Sequence, residues 1–366
     1  MFIELHLIQN FAPSNLNRDD TGNPKDTDFG GVRRARISSQ AIKRAMREEP
    51  IFAESTQVEP GIRTKWIARK IAENLKKSGK SKENAEQLAI AFTKKLFGAM
   101  DNAEPLRSNI LGYFDADEIQ FIVEQLNDGG EDAIADTIKK LVKQMGTFTS
   151  AADVALFGRM LARKPDTVTL DAASQVAHAI STHRVNMDMD FFTAVDDLQG
   201  DDETGSSHMG VTAFNSACFY RYARIDFKQL VKNLDGNTEL AKKTVTGFLR
   251  SALRAIPSGK QNSFAAQNPP SFALAVARKD GMSWSLANAF EKPVRAAREG
   301  GFVKNSIEAA DAYWGKLSKS YGNEGLSIFT LKLDDDATLS ALAGSEKDSE
   351  NDWIEGVLAE LNAQEG

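Results

Sequence analysis

The chain predicts an α+β fold in which a helical block interrupts a sheet. Three observations carry that expectation. The first residues, FIELHLIQNF, alternate apolar and polar side chains, the period of a half-buried strand. A run from Gly61 to about Thr182 repeats its apolar residues at helical spacing. Strand-like stretches then return in the second half of the chain, at 217–227, 271–278 and 327–333. Strands at both ends with helices between them fit a sheet domain carrying an inserted helical subdomain, not a doubly wound sheet.

Taken in order, Ile3, Leu5 and Leu7 alternate with Glu4 and His6. The next twenty or so residues, Asn10 to Gly31, are rich in Asn, Asp, Gly and Pro and poor in apolar side chains. A loop of that length in a compact fold is functional or disordered. After Gly30-Gly31 a short extended segment leads to Ser38-Ser39, good N-cap residues. Ile42, Ala45 and Met46 then recur at helical spacing, with Lys43, Arg44 and Arg47 around the rest of the circumference. Helices are predicted over 62–77, from Ser81 to a stop at Gly98, and over 117–126, 131–145, 151–163 and 171–182. The segment 184–210 breaks the run with acids, a Phe191-Phe192 pair and a Gly/Ser tip. ACFYRYARIDF, 217–227, reads as a strand with one polar-aromatic face, and Tyr220 and Tyr222 either stack bases or pack the sheet. Helices at 226–234, 238–256, 306–319 and 352–361 complete the expectation, and no internal repeat is present.

The 366 residues carry a net charge of −6, which is not spread evenly. From Lys332 onward there are ten acids and two bases, a net of −8, so the rest of the chain carries +2. That acidic end is a solubilising cap or a contact for a basic neighbour. Between Gly30 and Arg47 stand six Lys/Arg (Arg33, Arg34, Arg36, Lys43, Arg44, Arg47) and no acid. In an acidic protein such a local reversal points at a polyanion. A helix N-terminus at Ser38-Ser39-Gln40 adds unpaired backbone N–H groups and the positive end of a dipole. Lys43 and Arg47, one turn apart, can reach the same run of phosphates. Lys139, Lys140 and Lys143 form a second basic stripe, either a solvated helix face or a further nucleic-acid contact.

The catalytic inventory is thin. The chain has no phosphate-binding G-x-x-x-x-G-K-[ST] loop, no G-x-G-x-x-G, no H-E-x-x-H and no G-x-S-x-G. A single cysteine, Cys218, excludes an intrachain disulfide framework and a multi-Cys metal site. The four histidines are scattered, and His178 and His183 read as structural. Paired acids such as Asp19-Asp20 and Asp196-Asp197 leave a magnesium-dependent nuclease as the rival function. There is no signal-like N-terminus and no apolar run long enough for a membrane span, so the cytoplasm is the expected location.

The stretch LNRDD…KD…FGG-x-RR-x-RISSQ-x-x-KRAMR resembles the CasC family, the backbone subunit of the type I-E CRISPR Cascade surveillance complex. Gly158-Arg159-Met160, the segment AHAISTH at 177–183, FTAVDDLQ at 192–199, FYRYA at 219–223 and ANAFE at 287–291 agree in the same order. The resemblance implies a hand-like, non-catalytic subunit that uses no cofactor or metal and serves antiviral defence. Its RRM-like (ferredoxin-like) palm would comprise 1–60, with the RNA-binding loop and helix, and 217–366, ending in the acidic helix. Helical fingers would span 61–184 and a protruding β-hairpin thumb 185–216. Its partners would be a CRISPR guide RNA, target DNA, copies of itself in a helical filament and other Cascade subunits. By the same resemblance Arg18, Lys25, Ser38, Gln40, Lys43 and Arg47 line the RNA backbone groove. Met160 and Thr193 sit where a base is kinked out, Met160 as an apolar wedge, and Lys139, Lys140 and Lys143 face target DNA. The thumb tip departs from the family in being acidic, with Asp201-Asp202-Glu203 beside Gly200 and Gly205.

Overall fold

The computed structural model describes residues 1–162, 167–194, 208–333 and 336–363. The chain forms two compact units. One gathers Met1–Glu49, Val176–Arg224 and Leu249–Gly366; the other gathers Pro50–Gln175 and Ile225–Phe248.

The first unit is built on a large antiparallel sheet. Its edge-to-edge order is Leu326–Lys332, Phe272–Arg278, β1 (Phe2–Ser14), the long strand His208–Asp226, Ala179–Ser181, β3 (Val32–Ile37) and β2 (Asp26–Phe29). β1 pairs with Phe272–Arg278 in a register that sets Ile3 opposite Ala277 and Leu7 opposite Ala273. The alternation of β1 is real, but both of its faces are buried: Glu4 and His6 are as enclosed as Ile3 and Leu5. Polar atoms of both side chains find partners within the fold, His6 Nε2 excepted. The Glu4 carboxylate accepts from Arg278 and from the Trp284 backbone N–H, and His6 Nδ1 lies 2.9 Å from the Tyr220 hydroxyl. Satisfied in this way, polar side chains on a strand need not face water. The helix Val303–Tyr321 covers this side, where Trp314 joins Ile8, Tyr220, Leu274 and Phe290 in one core.

β2 and β3 form a hairpin turned by Gly30-Gly31, with Phe29 opposite Val32. Both glycines have positive φ, 62° and 73°, which a two-residue hairpin turn of this hand demands. At Gly30 there is also no room: a Cβ would lie 1.7 Å from the Glu291 carbonyl oxygen. The acidic last helix, Glu350–Asn362, docks through buried Trp353, whose indole N–H donates to Phe329 O at 3.0 Å. Its Glu350 pairs with Arg250 and Arg254 of the same unit. A second hairpin sets Asp188–Ala194 against the start of the long strand, Asp188 opposite Phe214. The expected thumb tip, 200–205, lies within 195–207, outside the described residues.

The second unit is mostly helical: Pro50–Thr56, Ile67–Lys77, Lys82–Phe97, Ala116–Gly129, Ile134–Met145, Ala152–Phe157, Phe227–Asn233 and the first part of Thr238–Arg254. Ile71, Leu75, Phe92, Leu96, Phe114, Ile122 and Leu141 fill one core. Ser81 caps its helix by accepting from Asn84 N–H, and Gly98 closes it in the left-handed region. Asp115 and Glu118 make a reciprocal capping box.

Three predicted helices are corrected. The helix expected over 62–77 begins at Ile67, because Ile62–Thr64 pairs with Gly112–Phe114 as a strand. The helix expected over 151–163 stops at Phe157, because Gly158 turns the chain at φ 73°. Arg159–Leu161 then pairs with Val168–Leu170 as a strand. The helix expected over 171–182 is replaced by the strands Ser174–Val176 and Ala179–Ser181. Ala179–Ser181 is held between β3 and the long strand, Ile180 facing both Arg36 and Tyr220 in the ladder. Sheet pairing on two sides outweighs the modest helix propensity of an Ala-rich segment.

Candidate nucleic-acid interface

The helix α1 (Ser39–Glu48) begins where the sequence places it. Ser38 holds an extended backbone, and its Oγ accepts from Ala41 N–H at 3.3 Å. Ile42 and Met46 are buried and fix the helix rotation, which leaves Gln40 exposed and Lys43 and Arg47 half-buried on the other side. No acid stands in the first turn, so nothing offsets the positive end of the dipole there. Ser38 is itself mostly enclosed, yet a hydroxyl that accepts still has a proton to donate.

The preceding loop is tied to this helix start. Ser38 N–H donates to Asn17 Oδ1 at 2.8 Å, and Lys25 N–H to Asn17 O at 2.8 Å. Arg36 N–H donates to Lys25 O at 2.9 Å. Asp19 organises the tip: its Oδ1 accepts from Thr21 Oγ1, Thr21 N–H and Asn23 N–H. Those bonds, the Thr21 hydroxyl first, hold the Asp19 carboxyl below its usual range. Arg18 bridges to Pro24 and is exposed. The loop therefore delivers Arg18 and Lys25 on a hydrogen-bonded frame.

The basic run divides according to what each guanidinium meets. Arg34 is fully buried and donates to the carbonyls of Phe29, Ser181, Phe290 and Glu291. Arg33 pairs with Asp26 across the hairpin, and Arg44 pairs with Glu48 one turn on at 2.8 Å. Arg34 is thus structural, a correction to its place in the expected polyanion face. Arg36 instead turns its Nη1 to His178 Nδ1 at 2.9 Å. Burial first, then the positive charges of Arg36, Lys25 and Lys43, hold the His178 pKa below its ordinary value. Three cations from a loop, a strand and a helix therefore act on one imidazole. Lys25 and Arg36 also line a small pocket with Ser14, Asn17 and Pro24.

Sequence reading counted Arg36 as one of six and set His178 aside as structural. Nothing in linear spacing joins residues 36 and 178; the register that sets Arg36 opposite Ile180 does so. Tyr220 is closed to any base: it is buried, and its hydroxyl accepts from Leu286 N–H at 2.8 Å. Tyr222 packs against His6, so the aromatic face of this strand serves the sheet.

The remaining predicted site residues are placed as follows. Thr193 is exposed on the hairpin opposite Met209. Around it Met189, Phe191, Phe192 and Val211 are exposed apolar side chains, a surface that the alternation of 189 and 191 could have signalled. In the helical unit Met160 is 73% exposed between buried Arg159 and Leu161. Its strand is anchored by Arg159, which is buried against Glu118 at 2.8 Å and also donates to Tyr113 O and Met145 O. Met160 is thus a flexible apolar side chain projecting from a firmly anchored strand. Lys139, Lys140 and Lys143 are exposed on Ile134–Met145, and Lys140 is paired with Asp136 at 2.7 Å. Among the described residues, no group of three or more His, Cys, Asp or Glu side chains could hold a metal ion. Among those residues, no helix is long and apolar enough to cross a membrane.

Fold and site together define an α+β protein that presents a cluster of cations at a capped helix start, suited to a phosphate backbone. The chain belongs to the CT1975-like protein family, whose model matches residues 3–356. It is also similar to a chain of a solved "CRISPR RNA-guided surveillance complex, pre-nicking". That likeness has a TM-score of 0.84 at 30% identity and covers 99% of this chain and 100% of the other. A chain of a second structure, "CRISPR RNA-guided surveillance complex", gives a TM-score of 0.65 at 27% identity, covering 100% of both. No curated protein matches the chain.

Proposed function

We propose that this protein is a non-catalytic, RNA-binding backbone subunit of a type I-E CRISPR surveillance complex. Copies of it line up along one guide RNA, hold the sugar–phosphate chain and leave bases free to pair with target DNA. The observation that carries the reading is the gathering of cations at the start of α1: Lys25 on a loop bonded to Arg36 and, through Asn17, to the cap Ser38, with Arg36 on β3 and Lys43 on the helix itself. Cations drawn from three separate elements suit an extended anionic strand better than a single small ion. Full-length likeness to chains of RNA-guided complexes supports the same reading.

In this account the sheet unit is an RRM-like palm, the helical unit the fingers and the 188–214 hairpin the thumb. Arg18, Lys25, Ser38, Gln40, Lys43 and Arg47 hold RNA phosphates. Met160 and Thr193 act where a base is turned out, and Lys139, Lys140 and Lys143 meet the target strand. Of the loop carboxylates that the rival ribonuclease would use, Asp19 is committed to its turn and Asp26 to Arg33, Asp20 is exposed, and Asp196-Asp197 lies outside the described residues. Incubating the purified complex with complementary RNA and magnesium separates the two. Intact RNA is expected; cleavage lost in Asp19→Ala or Asp26→Ala would replace the scaffold by an enzyme.

A further inference from the structure

The bond between Arg36 and His178 fixes more than a position. A guanidinium has N–H donors only and no acceptor. At 2.9 Å from Arg36 Nη1, His178 Nδ1 must therefore be the acceptor. A neutral imidazole that accepts at Nδ1 carries its proton on Nε2. No described residue takes that proton, and His178 as a residue is exposed although part of its ring is desolvated. The result is a neutral donor, held in one tautomer, among the cations that the RNA-binding reading assigns to the backbone.

We propose that His178 is itself an RNA contact, donating from Nε2–H to a non-bridging phosphate oxygen, with Arg36 as the positioning residue that sets its tautomer. The inference rests on the RNA-binding reading and deepens it. It also makes binding proton-linked. Among the described residues the charged groups acting on the ring are Arg36, Lys25 and Lys43, with no carboxylate among them. In the free protein they and burial resist protonation, so the ring stays neutral to a lower pH than an ordinary histidine. A bound phosphate cancels part of that positive field, and the ring becomes more basic in the complex. Between the two pKa values the complex holds a proton that the free protein lacks. Affinity for RNA therefore rises as pH falls through that window and levels off below it. On protonation Nδ1 becomes a donor, Arg36 must release it, and both groups then donate to the phosphate.

The test measures binding of a short, unstructured oligouridylate to the full chain at constant ionic strength, from about pH 7.5 down to about pH 5.5, a span bracketing the ordinary histidine value. The wild type should bind more tightly as pH falls, by no more than about tenfold per pH unit for one linked proton. His178→Gln keeps an N–H donor but cannot titrate. It should bind much like wild type at the upper pH and show no rise. His178→Ala should bind more weakly at the upper pH and also show no rise. A second readout follows the His178 ring by NMR, whose pKa should increase when the oligonucleotide is added. An equal pH-dependent rise in wild type and His178→Gln, or a ring pKa unmoved by RNA, overturns the proposal. If Lys43→Ala with Arg47→Ala weakens binding while His178→Ala does not, only the role of His178 fails. If the wild type binds no RNA, the underlying reading fails with it.

Discussion

Replacing Lys43 and Arg47 by alanine tests the groove through its salt dependence. Five side chains, Arg18, Lys25, Arg36, Lys43 and Arg47, supply charge to it from the loop, β3 and α1. If each neutralises one phosphate of a single strand, log K falls with log salt at a slope of about −3.5, from about −0.7 per contact. Removing two of the five should lower it to about −2.1. Between about 50 and 200 mM salt the wild type should then lose about 130-fold in affinity and the double variant only about 20-fold. Both side chains are only half-buried, while Ile42 and Met46 supply the buried face of α1, so the helix should survive the change. Fluorescence anisotropy with a labelled oligouridylate over a salt series gives both slopes, and thermal melting checks the fold. A loss of affinity with an unchanged slope would show that the pair supports the structure and does not hold phosphates.

The hairpin glycines should differ from each other. Gly31→Ala has open space and meets only its positive φ, a cost of about 1–2 kcal/mol. Gly30→Ala also collides with the Glu291 carbonyl, so it should destabilise markedly more; equal melting temperatures would refute the packing argument. Met160→Ala removes an exposed side chain and should change stability by no more than about 0.5 kcal/mol, while altering chemical probing of the bound RNA at spaced positions. An unfolded variant would show that Met160 belongs to the core. Reversing the charge of Asp19 and Asp20 should weaken assembly of copies along RNA, as read by sedimentation, and unchanged assembly would remove the loop from the subunit interface.

Local signals were the ones legible in sequence. Ser38 as a cap, Ile42 and Met46 as the inward face of α1, and Gly98 as a helix stop each depend on neighbours within a turn. The alternation of β1 gave a strand, but not the burial of Glu4 and His6, because Arg278, Trp284 and Tyr220 lie more than two hundred residues away. The same limit explains the basic run. Arg34 and Arg36 look alike in sequence, and only the carbonyls at 181, 290 and 291 decide that Arg34 turns inward. The segment 171–182 misled for a related reason: its strands exist because β3 and the long strand flank Ala179–Ser181 on both sides. His178 became a site residue by the same pairing, which no helical spacing could express.

Co-purification decides most directly whether the cation cluster serves a guide RNA. The full chain, expressed together with a CRISPR array and its companion subunits, would be isolated through a tag on this chain and sized, and its nucleic acid extracted. The scaffold reading predicts a large assembly of several copies carrying RNAs of one uniform length. A monomer free of RNA, or one carrying RNAs of every length, would contradict it.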